Sequence, residues 1–545
     1  MSIDIPKPRR RRRRRGRLTS LESRVTVSAV TDNQLASASK PTILPFRQID
    51  IGETDANAEY FLAKRAEETP MFLRAYYERD TGFAEELYNG KKFLLYGQKG
   101  TGKTAILRHL EYRSISEYST EFVVFRKEIV EEAQLASLAA TFSATVVIDE
   151  DKIKETHFYY HAMKRLLLTL LLAKSADIEN EIPEDSSWFK KVYSEIKNSS
   201  VGQVASLVTD SVIGSMEAVN VDVSKATKGV IKVSPAMAIK RSNDAFQKFA
   251  FSQFEKKKLK ARIFLDEMHF AYRDKQSLGA DAALVRDTVL AVREISEKLI
   301  ERGIDSMIFM SIRSEFLEHQ EIAVSDIAHT VESYGMEISW ENAPFDRTHP
   351  MFLVALARLQ LSLGGEFTRD VMLQRYFPVQ RIEDFLEYTW GKPRDIVRYF
   401  KAAKNAYPNN GSLRPGEFRN VIRRYSQAAW QDVKGALTAF VPKESIPVLE
   451  EVLQTIANHN FDNSVDFDKV TLSRYMTPAY NHMQSLGVTY DINELIKLLY
   501  IVGVFFIRYK DANGQTIFHQ FNRGNRHPAA KGSFVVHRAV ARAFS

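Results

Sequence analysis

Cysteine is absent from the 545 residues. That excludes a disulfide framework, a thiol nucleophile and any zinc site built on thiolates. Long apolar runs are lacking too: nothing approaches the ~18 consecutive apolar residues of a membrane span. The longest candidate, LLLTLLLA at 166–173, lies between Lys164, Arg165 and Lys174 and reads as a buried helix. The basic N-terminus has no apolar stretch behind it, so no secretory signal is expected. The chain also has little net charge outside its first 17 residues. Lys7, the arginines at 9–15 and Arg17, against the single Asp4, account for the whole formal charge of +8. The rest is neutral overall, so a basic fold is not implied. A soluble, cytoplasmic protein is the expectation.

What is present is ordinary globular composition, 44% hydrophobic and 26% charged. The length calls for more than one domain. Residues 1–45 read as a disordered, Arg-rich tail, because a block of like charges repels itself; such a block attracts nucleic acid or anionic lipid when it has a partner at all. From 46 onwards the pattern is globular. Short, largely apolar, β-rich runs occur at 92–97 (KFLLYG), 121–126 (EFVVFR), 144–149 (ATVVID), 261–267 (ARIFLDE) and 305–313 (DSMIFMSIR). Helical patterns such as 282–303 separate most of them. This alternation predicts an α/β fold with a parallel sheet over 46–344. An insertion at about 152–260 interrupts it, with a strong helix at 154–175 and a candidate hairpin at 217–235. Residues 345–440 read as mostly helical. Over 441–545 helices come first, then two strand patterns around Asp511, Ala512, Asn513 and Gly514, a good hairpin turn. Helices followed by a hairpin suggest a winged-helix-like module.

One stretch carries chemistry. Gly97-Gln98-Lys99-Gly100-Thr101-Gly102-Lys103-Thr104 fits G-x-x-x-x-G-K-[ST], after an apolar strand and before the helix that Ala105 continues. Glycines let the backbone turn tightly and aim its N–H groups inward, and the helix adds the positive end of its dipole. Lys103 can reach the β- and γ-phosphates, and Thr104 can offer an oxygen to Mg²⁺. The loop therefore reads as a cradle for a polyphosphate, with ATP and Mg²⁺ as the expected ligands. It needs a carboxylate on a neighbouring strand. Asp149 and Glu150 in VVIDED are one choice; Asp266 and Glu267 in IFLDE are the favoured one, because the following helix and strand continue the core order. Asp266 would hold Mg²⁺ through water, and Glu267 would act as general base toward the attacking water. Ser311 and Arg313, ending the next strand, are candidates to sense the γ-phosphate. In WGKPRDIVRYF, Pro393 opens a helix, and Arg394 could reach back to the phosphates.

In this order GQKGTGKT, IFLDE, SIR and GKPRD resemble the AAA+-related ATPases of the Orc/Cdc6-like and STAND-like clade, in which a P-loop core is followed by a helical lid and a winged helix. More closely, IGETDANAEYFLAKRAEETPMFLRAYY and FNRGNRHPAAKGSFVVHRAVARAF are similar to a set of poorly characterised bacterial P-loop ATPases. The resemblance covers about 50–545. It implies a P-loop core at 46–344, a lid at 345–440 and a winged-helix-like domain at 441–545. It implies Mg²⁺ at Thr104 and Asp266, a sensor-1 role for Ser311 or Arg313, a sensor-2-like role for Arg394, and Pro393 near the base or ribose. It departs from the wider clade in the IGETDANAE segment, in the long gap between Lys103 and Asp266, and in the lack of a convincing trans-acting arginine finger. The expected function is a slow or partner-stimulated ATPase acting as a conformational switch in signalling or defence, with a protein partner or homo-oligomer. The alternative is an ATP-gated loader or regulator on duplex DNA. A guanine-reading N-K-x-D run is missing, which argues against a GTPase. Intact Lys103, Thr104, Asp266 and Glu267 argue against a pseudo-ATPase.

Overall fold

The structure, a computed structural model, describes residues 44–77, 82–125, 158–174, 235–268, 275–317, 327–340 and, with short interruptions, 343–544. The tail up to residue 43, the ATVVID run and residues 217–234 of the candidate hairpin lie outside the described residues.

The expected α/β organisation is present. Strands β1 (Leu94–Gly97), β2 (Ser119–Val124), β3 (Ala261–Met268), β4 (Met307–Arg313) and β5 (Gly335–Glu337) form one sheet in the order β2-β3-β4-β1-β5. All four pairings are parallel. The interior strands are apolar on both faces because both are covered: β3 is buried from Ala261 to Asp266, and β4 from Met307 to Ile312. β5 is the strand that hydrophobic pattern did not reveal. It is three residues long and only half-buried.

The order has a direct consequence for the site. β4 is inserted between β1, which leads into the glycine-rich loop, and β3, which carries the acidic pair. The register sets Gly97 opposite Arg313 and Leu95 opposite Ser311. The C-terminal ends of the three central strands therefore meet at one edge of the sheet, where open α/β sheets place their ligands.

The principal helices are α1 (Ala56–Arg65), α2 (Lys103–Ser114), α3 (Phe158–Ala173), α4 (Pro235–Lys257), α5 (Lys275–Glu301), α6 (Met351–Leu363), α7 (Pro393–Ala406), α8 (Pro415–Leu437), α9 (Ile446–Asn463), α10 (Lys469–Ser485), α11 (Ile492–Ile501) and α12 (Arg538–Phe544). α2 lies across β1, β2, β3 and β4, and α5 packs on α3 and β4. The leucine run of α3 is buried, as its pattern predicts: Leu167, Leu171 and Leu172 show no exposure. Among the described residues no helix is long and apolar enough to cross a membrane.

Residues 345–440 are helical over most of their described length, with α7 packed on both α6 and α8. Beyond them, α9 to α11 precede an antiparallel sheet of β6 (Phe505–Lys510), β7 (Thr516–His519) and β8 (Ser533–Val536), with β6 in the middle. The hairpin expected at 504–521 is β6–β7. Its turn is held by Asp511 Oδ1, which accepts from the amides of Asn513 and Gln515, and Gly514 takes φ of 76°. β8 pairs with the other side of β6. α12 packs mainly on α8, so the last helix returns to the segment beside the glycine-rich loop.

Candidate functional site

The glycine-rich loop runs from the end of β1 into α2. Gly102 is the N-cap of α2 with φ of 105°, and Gly100 has φ of 87°. Both are left-handed, where a side chain is strained. Gly97 has a different reason to be glycine: a β-carbon there would lie 2.6 Å from the carbonyl oxygen of Ile338. Lys103 is buried, and its Nζ donates to the carbonyls of Gly97 (2.6 Å) and Gln98 (2.8 Å). The ammonium is thus held on the inner side of the loop it follows. Thr101 Oγ1 donates to Gln98 O at 2.8 Å, and Trp340 Nε1 donates to Thr101 O at 3.0 Å, so the turn is braced from two sides.

A cavity of about 400 Å³ opens over this loop. It gathers Lys99, Gly100, Gly102, Lys103, Thr104 and Ala105 with Asp266 and Glu267 of β3, Ser311 and Arg313 of β4, and Pro393 and Arg394 of α7. Of the residues proposed from sequence, Gly97, Gln98 and Thr101 do not line it. Gly97 closes the strand, Gln98 Nε2 reaches Phe521 O at 3.5 Å, and Thr101 borders a neighbouring apolar cavity. Asp266 and Glu267 line the cavity; Asp149 and Glu150 lie outside the described residues.

Asp266 is 1% exposed and receives a hydrogen bond from Ser311 Oγ at 2.6 Å. Ser311 therefore holds Asp266 from the adjacent strand, which is a positioning contact. Glu267 is the next residue of a strand, where alternation would send its side chain to the opposite face. A bulge intervenes. The β3–β4 register shifts between Leu265 and Met268, and Glu267 adopts φ of 57°. Bulges re-aim side chains, and a non-glycine residue in the left-handed region costs about 1–2 kcal/mol. The fold sustains that cost at a residue that borders the cavity.

Three groups were missed by reading the sequence. Asn57, at the start of α1, is 3% exposed; its amide donates to Asp266 Oδ2 at 3.4 Å and its oxygen accepts from Arg108 Nε at 3.0 Å. Glu59, one turn along α1, binds the backbone amides of Glu53 and Phe72 and lies 3.5 Å from Arg358. Burial pushes its pKa up, with Arg358 and the two amides opposing. Asp432 on α8 faces Lys99, Arg394 and Arg398. Nothing local in the sequence marks Asn57 as a partner of a residue 209 positions away.

GKPRD behaves as its spacing predicts. Pro393 is the first residue of α7, and Asp395 turns back to accept from the amides of Trp390 (2.9 Å) and Lys392 (3.1 Å). Asp395 is therefore a cap, and the partner of Arg394 is Asp432, at 3.1 Å. Arg394 lies over the loop: a β-carbon at Gly100 would stand 3.3 Å from Arg394 Cβ.

Beside the polar cavity is a smaller apolar one of about 100 Å³. Tyr76, Ile338 and Trp340 line it, and it shares Phe72, Gly102, Ala105, Arg358 and Pro393 with the larger cavity. Among the described residues no cluster of three or more His, Cys, Asp or Glu is placed to hold a metal alone. Comparison with protein-family models, curated proteins and solved structures found no match to this chain.

Proposed function

We propose that the chain is a P-loop ATPase of the AAA+-related, Orc/Cdc6-like and STAND-like type, in which ATP occupancy sets the relation between a core (46–344), a helical lid (345–440) and a winged-helix-like domain (441–545). The observation that carries this reading is the convergence of Lys103, Asp266, Glu267, Arg313 and Arg394 on one cavity from four separate places in the sequence.

In this reading the amides of the loop and the start of α2 bind the phosphates, and Lys103 moves from the loop carbonyls to the β- and γ-phosphates. The donor set suits Mg²⁺. That ion prefers a hydroxyl, one or two carboxylates, water and phosphate to an all-protein cage, and Thr104 and Asp266 supply the first two. Mg²⁺ would be held there and would neutralise charge on the phosphates. Glu267 orients and deprotonates the attacking water. Arg313 and Arg394 stabilise charge on the transferred group. The apolar cavity takes the base, with Pro393 and Phe72 at its junction with the polar one. Its walls suit a purine, and the missing N-K-x-D run favours adenine.

Phosphate release from ATP by the purified chain, with Glu267→Gln as the control, tests this. Turnover is expected to fall ~10²–10⁴-fold in the variant, as loss of a general base does. Equal turnover in both would remove Glu267 from the mechanism. The seven consecutive arginines favour a second reading, an ATP-gated contact with duplex DNA. Stimulation of turnover by duplex DNA that disappears on deleting residues 1–17 would select it.

A further inference from the structure

One carboxylate, Asp432 on α8, is shared by three cations beside the glycine-rich loop. Asp432 Oδ1 lies 3.0 Å from Lys99 Nζ, and its Oδ2 lies 3.1 Å from Arg394 Nη1 and 2.5 Å from Arg398 Nη2. Asp395 is 3.6 Å from Arg398 but is committed to capping α7. Asp432 is thus shared by Lys99, Arg394 and Arg398, and Arg313 adds its field to Lys99. Burial pushes the Asp432 carboxyl up, but Arg394, Arg398 and Lys99 outweigh it and hold the group far below the usual carboxylate range. Burial also depresses Lys99, with Asp432 opposing and Arg313 and Arg394 reinforcing the depression. Lys99, Arg394, Arg398 and Asp432 all border the cavity over the glycine-rich loop, where an entering phosphate would meet the cations that Asp432 holds.

We propose that Asp432 is an internal counter-anion that competes with the nucleotide's terminal phosphate for Arg394 and Lys99, and thereby reports occupancy to α8. The inference rests on the nucleotide-site reading above and adds a residue that reading does not require. The structural link is short. Lys99 Nζ also lies 3.3 Å from the Asp432 carbonyl, and a β-carbon at Gly435, one turn further on, would stand 3.1 Å from the same nitrogen. α8 is therefore seated on the loop by its backbone as well as its carboxylate. α12 packs on α8, and Trp390, just before α7, donates to Gly503 O at 3.0 Å. A phosphate that draws Arg394 and Lys99 away loosens two of the three ion pairs made by Asp432 of α8, and the C-terminal segment is in direct contact with that helix.

The test is calorimetric binding of Mg-ATP and Mg-ADP to the full chain and to Asp432→Asn, which keeps the shape and removes the charge. Removing the competitor should tighten Mg-ATP by about tenfold, the scale of one charge-assisted hydrogen bond. Mg-ADP should gain less. Adding Arg394→Ala to the variant should cancel most of the gain. Unchanged or weaker Mg-ATP binding in Asp432→Asn would overturn the proposal and make Asp432 a residue that positions the arginines instead. Hydrogen exchange on the unaltered chain gives an independent readout should the variant not fold. Amides of α8 around Asp432 should exchange faster with Mg-ATP, and no change there would equally overturn the proposal. The two readings fail separately: if Lys103→Ala binds Mg-ATP as well as the unaltered chain, the nucleotide site itself is wrong.

Discussion

Glu267 is where stability and activity are expected to separate. Its φ of 57° lies in a bulged strand, in a region that disfavours any residue with a β-carbon. Replacing it by alanine removes the carboxylate and keeps the strain. Replacing it by glycine removes both. Relief of a left-handed conformation gains about 1–2 kcal/mol, and the extra freedom of glycine in the unfolded chain offsets about 0.5–1 kcal/mol. The glycine variant should therefore be more stable than the alanine variant by about 1 kcal/mol. For a chain this large that is about 1–2 °C in the melting midpoint. Elsewhere in a strand the order would be reversed. Phosphate release should be reduced ~10²–10⁴-fold in both. Scanning fluorimetry of the two variants beside a turnover assay decides it. An alanine variant as stable as the glycine variant would refute the strain argument, and undiminished turnover in either would refute the catalytic role. The pattern expected is that of a site where backbone strain aims a side chain at some cost to the fold.

Two further predictions concern neighbours of the site. Asn57→Ala leaves Asp266 with one fewer donor and the buried Arg108 without its Asn57 acceptor. Half-maximal turnover should then require several-fold more Mg²⁺ (roughly 1 kcal/mol for a neutral hydrogen bond), and a magnesium titration that does not shift would remove Asn57 from the metal's surroundings. His109 on α2 stacks on Tyr76 with ring centroids 3.7 Å apart, and burial, aided by Arg113, lowers its pKa from 6.5 to about 4. The folded chain resists a proton that the unfolded chain accepts, so this contribution is complete above pH ~6.5 and is lost as the pH falls toward 4. Melting midpoints of the unaltered chain should drop across that window more steeply than those of His109→Phe; parallel curves would show that His109 does not carry the dependence.

Much of the sheet was legible because buried parallel strands are written as continuous apolar runs, and β1, β3 and β4 each have one. β5 has only Gly335, Met336 and Glu337, too few to show a period, and it forms because β1 offers it a free edge. The loop was legible because its glycines answer local backbone demands. Asp266 and Arg394 were legible from their places at a strand end and a helix start. Their partners were not. Adjacent residues on a helix do not face each other, so Arg394 passes over Asp395 and meets Asp432 on another helix. Asn57 reaches Asp266 only once α1 is packed against α2 beside β3. The bulge at Glu267 arises from the pairing of two strands and leaves no mark in either alone.

The central claim is that the glycine-rich loop binds a nucleotide through Lys103. Its most direct test is calorimetric titration of Mg-ATP into the full chain and into Lys103→Ala, with the fold of each checked by its melting curve. The account predicts saturable binding at one site in the unaltered chain and none measurable in a folded variant. Equal binding in both, or none in either, would contradict it.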